Sequence, residues 1–275
     1  MPDRLYSLAA LTVLELSPPE MIEVAACAGY DAVGLRLIPA TPEEHHYPLA
    51  SDAGLLRRTR QRLRETGLRV LDIEILRLTP DTQVPRDFPR VLEVGAQLGA
   101  SEVLVAGNDE DHERLVDNFA SLCELAAPLG LHPHLEFMPW TGVKDLPQAH
   151  RLVAATRKAG RGNACLLVDA FHFNRSASRL EELVEVPAGW MRYAQLCDVA
   201  GPIPASMAEI LHEARQQRCF PGDGDIDLQA LLGALPPGVP LSLEIPTESL
   251  RRQGITAWER ASLALDKARA LVDSR

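Results

Sequence analysis

The sequence predicts a single-domain α/β protein, a (β/α)8 TIM barrel. Three observations carry that expectation. Short apolar strands alternate with amphipathic helices eight times along 275 residues, a pattern of parallel strands joined by helical crossovers. The length suits one closed α/β barrel, and no composition shift splits the chain. No glycine-rich phosphate fingerprint follows the first strand, which weakens the rival doubly wound sheet.

Each unit reads in order. The first strand spans about 5–13, and Ser17-Pro18-Pro19-Glu20 then opens a helix with an N-cap, a proline in the first turn and a capping box. Gly29 closes that helix. Residues 31–37 form a continuous apolar run of the kind a buried parallel strand needs. A long loop, 38–51, carries three prolines and the adjacent His45 and His46. Residues 52–66 are helical and end at Gly67. The third strand is 68–76. Phe88, Val91, Leu92, Gly95 and Leu98 then form one apolar stripe. The fourth strand is 102–107, followed by a helix marked by Leu115, Phe119, Leu122 and Leu125. Strands five to eight are LHPHLEF, ACLLVDAFH, MRYAQLCD and PLSLEIP. Helices are expected near 145–159, 177–186, 205–217, 226–235 and 256–273.

The net charge of −10 excludes a large nucleic-acid footprint and disfavours anionic membrane surfaces. No apolar stretch reaches the ~20 residues that span a bilayer. The five cysteines form no CxxC and read as buried, reduced thiols of a cytoplasmic protein. The N-terminus reads as a strand rather than a signal peptide. The apolar helix surface would allow a homo-oligomer.

Function is concentrated at the ends of the last four strands, where Glu136, Asp169, Gln195 and Glu244 recur in turn. In a barrel all four would stand at the C-terminal face, where active sites are built. Three carboxylates and an amide carbonyl make an all-oxygen donor set suited to one divalent metal ion: Mn²⁺, Mg²⁺ or Co²⁺, with Zn²⁺ as a further option. His172, three residues after Asp169, could bind a substrate hydroxyl or pass a proton. His132 reads as a core histidine, and His134 as one that supports the metal from behind. Arg36 is a charge in an apolar strand that needs a partner, with Glu74 on the next strand as candidate. This pair could close the upper barrel layer or reach substrate. Trp140 offers an apolar wall for substrate. Arg218, before a Pro-Gly loop, could meet substrate oxygens. Asp223, Asp225 and Asp227 alternate, but Leu228 and Ala234 stand where a calcium loop needs Gly and Glu, so Asp225 or Asp227 reads as a helix cap.

The stretches LEFMPWTGV, LLVDAFHFNRS, YAQLCD, RCFPGDGDIDL and PLSLEIP resemble the xylose isomerase-like barrels of the sugar phosphate isomerase/epimerase group, the superfamily that contains endonuclease IV. That resemblance assigns Glu136, Asp169, Gln195 and Glu244 to one metal, and implies substrate-facing roles for His172 and Arg218. It implies a metal-dependent isomerase or epimerase of a small sugar, ketose or related polyhydroxy carbonyl compound, with Glu136 and Glu244 moving the proton. Gln195 stands where many sugar epimerases have His. Gln also occurs there in the related 3-dehydroshikimate dehydratases, so a dehydratase with His172 as acid is the rival reading. The histidines of the trinuclear zinc nucleases are missing. A barrel that binds a ligand without catalysis is the reading from another class.

Overall fold

All eight strands pair in parallel with their sequence neighbours, and the first pairs with the last, so the sheet closes into a barrel. The structure, a computed structural model, describes residues 4–274. The strands are β1 (Tyr6–Leu8), β2 (Ala32–Arg36), β3 (Arg69–Leu78), β4 (Glu102–Gly107), β5 (His132–Glu136), β6 (Cys165–Asp169), β7 (Ala194–Leu196) and β8 (Leu241–Leu243). Helices fill every connection, the longest being Ala53–Thr66, His112–Ala126, Leu146–Lys158 and Ala257–Asp273. No helix among the described residues is long and apolar enough to cross a membrane.

Alternation along the strands separates two apolar clusters. Val103, Val105, Leu166, Val168 and Ala194 face the helices and join the large core, whereas Leu104, Ala106, Leu167 and Tyr193 face the lumen. The lumen is therefore packed, and buried polar side chains such as Asp72 and His134 share it with the apolar ones. Gly34 of β2 makes room for one of them: a Cβ there would lie 2.6 Å from Asp72 Oδ1.

Four expectations are corrected. The first strand ends at Leu8, and Ala10–Val13 forms a 3-10 turn. Thr12 explains the early stop, because its Oγ1 donates to the Leu243 carbonyl at 2.7 Å and accepts from Ile245 N at 2.8 Å, tying the chain to the end of β8. Two short helices follow β6: Ala170–Arg175, which the sequence pattern does not predict, and Leu180–Val184, a shortened form of the helix expected at 177–186. Asp169 caps the first of them by accepting from His172 N at 3.0 Å, so His172 sits in a helical turn. Cys27 is exposed, on the outer side of helix Pro18–Ala28 whose Met21, Ile22 and Ala25 face inward. His134 turns toward the base of the barrel and meets Glu102 Oε2 at 2.7 Å.

Candidate active site at the C-terminal ends of the strands

Position in the barrel brings the candidate side chains together. Glu136 and Asp169 are the last residues of β5 and β6, Asp169 pairs with Gln195 on β7, and Gln195 pairs with Ser242, two residues before Glu244. Period-two alternation then puts Glu244 on the same lumenal side as Ser242. One ligand atom each from Glu136, Asp169 and His172 lies within 4.8 Å of the others, and all three residues are buried. Glu244 stands outside that trio and is joined to it by two bridges. Gln195 Nε2 donates to Glu244 Oε1 at 3.1 Å. Arg218 meets Asp169 Oδ2 through Nη1 and Glu244 Oε2 through Nη2, both at 2.8 Å.

Arg218 is itself fixed. Its Nε donates to the Ala214 carbonyl at 3.0 Å, and its guanidinium lies 4.9 Å over the Phe171 ring. The Pro-Gly loop that follows is held by Asp198, whose carboxylate accepts from the backbone N–H of Val199, Gly222, Gly224 and Ile226. Gly224 is needed there, since a Cβ would meet Asp198 Oδ1 and Val199 O at 2.4 Å. Asp227 caps the next helix through Ala230 N.

Electrostatics follow from burial. Glu136 is pushed well above the usual carboxylate range by desolvation and by the Glu244 and Asp169 charges. Burial raises Glu244 to about 7 against the opposing pull of Arg218. Burial drives the His172 imidazole down to about 3, with Asp169 pulling the other way. His172 Nε2 lies 3.6 Å from Glu136 Oε1, and its ring meets Trp140 edge-on at 5.1 Å. Two buried oxygens here have no hydrogen-bond partner among the described residues, Glu136 Oε1 and Gln195 Oε1. Buried polar atoms are rarely left so. The cavity that Glu136 borders holds 60 Å³ and is also lined by Arg36, Arg77, Trp140 and Arg215. An outer cleft of 420 Å³ adjoins it, sharing Leu11 and Arg215.

The structure does not bring every candidate to the cavity. Arg36 lines it and pairs with Glu74 at 3.0 Å and Glu44 at 2.8 Å. Glu74 is fully buried and lies beneath it. His45 lines the outer cleft. His132 meets the Ser101 carbonyl at 3.2 Å and lies 4.0 Å from Glu102 Oε2, away from the cavity. Sequence reasoning missed Arg77 and Arg215. Arg77 lies just beyond the expected end of the third strand, and Arg215 is one of several charges on the helix Met207–Gln216.

Comparisons with known proteins agree with this architecture. The model of the xylose isomerase-like TIM barrel family matches residues 22–268. A 3-dehydroshikimate dehydratase of Pseudomonas putida is 28% identical over 268 residues, 90% of this chain and 40% of that protein. The chain thus spans about 40% of the length of that relative. An inosose isomerase of Bacillus velezensis is 25% identical over 240 residues, 78% of this chain and 77% of that protein. Among solved structures, the IOLI protein with a bound zinc atom superposes with a TM-score of 0.78 at 22% identity, covering 98% of both chains.

Proposed function

The chain belongs to the xylose isomerase-like TIM barrel family, and from that premise we propose that it is a divalent-metal-dependent enzyme that removes a proton next to the carbonyl of a small polyhydroxy compound. The observation that carries the reading is the pair of orphaned oxygens, Glu136 Oε1 and Gln195 Oε1, buried beside the Asp169 and Glu244 carboxylates. A hard cation would satisfy both, and the all-oxygen donor set fits Mg²⁺, Mn²⁺ or Co²⁺. Glu136, Asp169, Gln195 and Glu244 would hold it, with His172 within reach of the same point. When bound, such an ion supplies Lewis acidity that stabilises negative charge developing on a substrate carbonyl.

The chain's own residues do the rest. Glu136 and Glu244, at the ends of strands three apart around the barrel, each offer a carboxylate oxygen to take or return a proton. Arg218 fixes Asp169 and Glu244 against each other through a planar fork, so both are oriented before substrate arrives. His172 and Trp140 wall the cavity beside Glu136 and exclude water from it.

Two fates are open to the enolate. Return of a proton to a neighbouring carbon or to the other face makes the enzyme an isomerase or epimerase. Loss of a β-hydroxyl as water, its proton coming from the carboxyl that took the first one, makes it a dehydratase, with the neutral His172 imidazole hydrogen-bonding the departing oxygen. Gln195 favours this second reading, since the family resemblance gives many sugar epimerases His there and the related dehydratases Gln.

The test uses Mn²⁺-loaded protein in D₂O with inosose and 3-dehydroshikimate as substrates. Solvent deuterium in the product marks an isomerase or epimerase, and a new ultraviolet absorbance marks the dehydratase. Binding without either signal, or turnover undiminished in Glu244→Gln, would overturn the reading.

A further inference from the structure

Four arginines line the cavity that holds Glu136, His172 and Glu244, and they are not equivalent. Arg36 is neutralised by Glu44 and Glu74, and Arg218 by Asp169 and Glu244. Arg77 and Arg215 form no direct ion pair among the described residues. Arg77 is half-buried. Its Nε donates to the Ala40 carbonyl at 3.1 Å and its Nη1 to Asn108 Oδ1 at 2.9 Å. Both acceptors are neutral, so they fix the guanidinium without discharging it. Burial and the charges of Arg36 and Arg215 pull Arg77 below the ordinary arginine range, against the opposing pull of Glu136 and Glu44.

Arg215 stands in the last turn of helix Met207–Gln216, exposed, with no hydrogen bond or ion pair to the described residues. It borders both the inner cavity and the outer cleft. The other arginines of the cleft differ: Arg251 and Arg252 are paired with Glu248, and Arg260 with Glu15. Acids are thus supplied to every arginine around the cavity and cleft except the two that face each other's charge across the mouth. A half-buried guanidinium such as Arg77, with no carboxylate paired to it, gains from an anion brought into the cavity.

We propose that Arg77 and Arg215 form an anion subsite, and that the polyhydroxy carbonyl substrate carries a carboxylate. A planar two-oxygen anion matches the free edge of the Arg77 fork, and the 60 Å³ inner cavity leaves its bulk to the adjoining cleft. The proposal rests on the enolate-forming reading above and names its substrate class.

Binding rather than turnover tests it. Calorimetry on Mn²⁺-loaded protein would compare shikimate, an unreactive ring carboxylate, with its methyl ester and with glycerol 3-phosphate. Shikimate should bind about tenfold or more tightly than the ester, the size of one lost charge-assisted bond. Arg77→Gln and Arg215→Gln should each weaken shikimate about tenfold and leave the ester within about twofold. Arg77→Lys, which keeps the charge if the amide variant fails to fold, should keep most of the preference. Equal binding of acid and ester, or variants that leave shikimate unchanged, would overturn the subsite. Tighter binding of the phosphate would overturn the carboxylate assignment. Shikimate bound through both arginines with no proton exchange on any carbonyl substrate would leave this inference standing and sink the enolate chemistry. Turnover of neutral inosose with no preference for the acid would do the reverse.

Discussion

Removing the carboxylate of Glu102 should destabilise the protein in a way that fades with acid. Glu102 lies at the start of β4, at the end of the barrel away from the candidate site. It is buried, and it accepts from His134 Nε2 at 2.7 Å and from Arg192 Nε and Nη2 at 3.0 Å. His132 Nδ1 is 4.0 Å away. Burial alone would raise its pKa, but the His134 and Arg192 contacts win and hold it at about 2. A carboxylate with a depressed folded pKa contributes stability that is present above its unfolded value, about 4.5, and is lost as pH falls toward about 2. The difference of about 2.5 pKa units corresponds to about 3 kcal/mol, and screening at the 40% exposed Arg192 side chain reduces it to about 2–3 kcal/mol. Glu102→Gln should therefore lower the melting temperature by about 5–10 °C at pH 7. The gap to wild type should shrink by about 40% at pH 3.5. Melting curves by circular dichroism at both pH values read this directly. A gap that stays constant from pH 7 to 3.5, or no gap at pH 7, would refute the linkage.

Other perturbations test the site end. In metal-free protein, Glu136→Gln should raise stability by about 1–2 kcal/mol by removing a buried, partly unpaired charge. With excess Mn²⁺ the order should reverse, and melts with and without chelator would show whether it does. Arg218→Lys cannot span Asp169 and Glu244 with one fork, so kcat should fall about 100-fold; a smaller loss than tenfold would remove the bridge from the mechanism. Gly142→Ala would place a Cβ 2.0 Å from the Asp109 carbonyl oxygen and shift the loop that carries Trp140. Its kcat/KM should drop about 100-fold with the far-ultraviolet spectrum unchanged, whereas wild-type activity would mean the loop yields freely.

Much of the barrel and its polar rim could be read from periodicity. The apolar runs of β2, β4, β5 and β6 fall where the sequence predicts, and the recurrence of Glu136, Asp169, Gln195 and Glu244 marks the strand ends on one face. The Arg36–Glu74 pair follows from a charge stranded in an apolar strand. What escaped depends on contacts that sequence spacing does not encode. The third strand slips register between Ile73 and Leu76, so the alternation set by Asp72 and Glu74 is reset and Arg77 turns inward rather than out. The short helix after β6 begins at Asp169 itself, because that carboxylate caps it. His134 could have supported a metal by spacing alone, but Glu102, 32 residues earlier, captures it at the other end of the lumen.

Thr12 joins residues that the chain makes at opposite times. Its hydroxyl binds Leu243 and Ile245, 231 and 233 residues later, and its carbonyl accepts from Arg260 at 2.9 Å. During synthesis Glu136 and Asp169 leave the ribosome long before Arg218 and Glu244 can take their places. A nascent chain that lacks β8 therefore lacks Glu244, the carboxylate that Gln195 and Arg218 hold. The latch at Thr12 makes closure of the ring the event that brings Glu244 to Gln195, Arg218 and Asp169, so the two halves of the cluster meet only in the finished barrel.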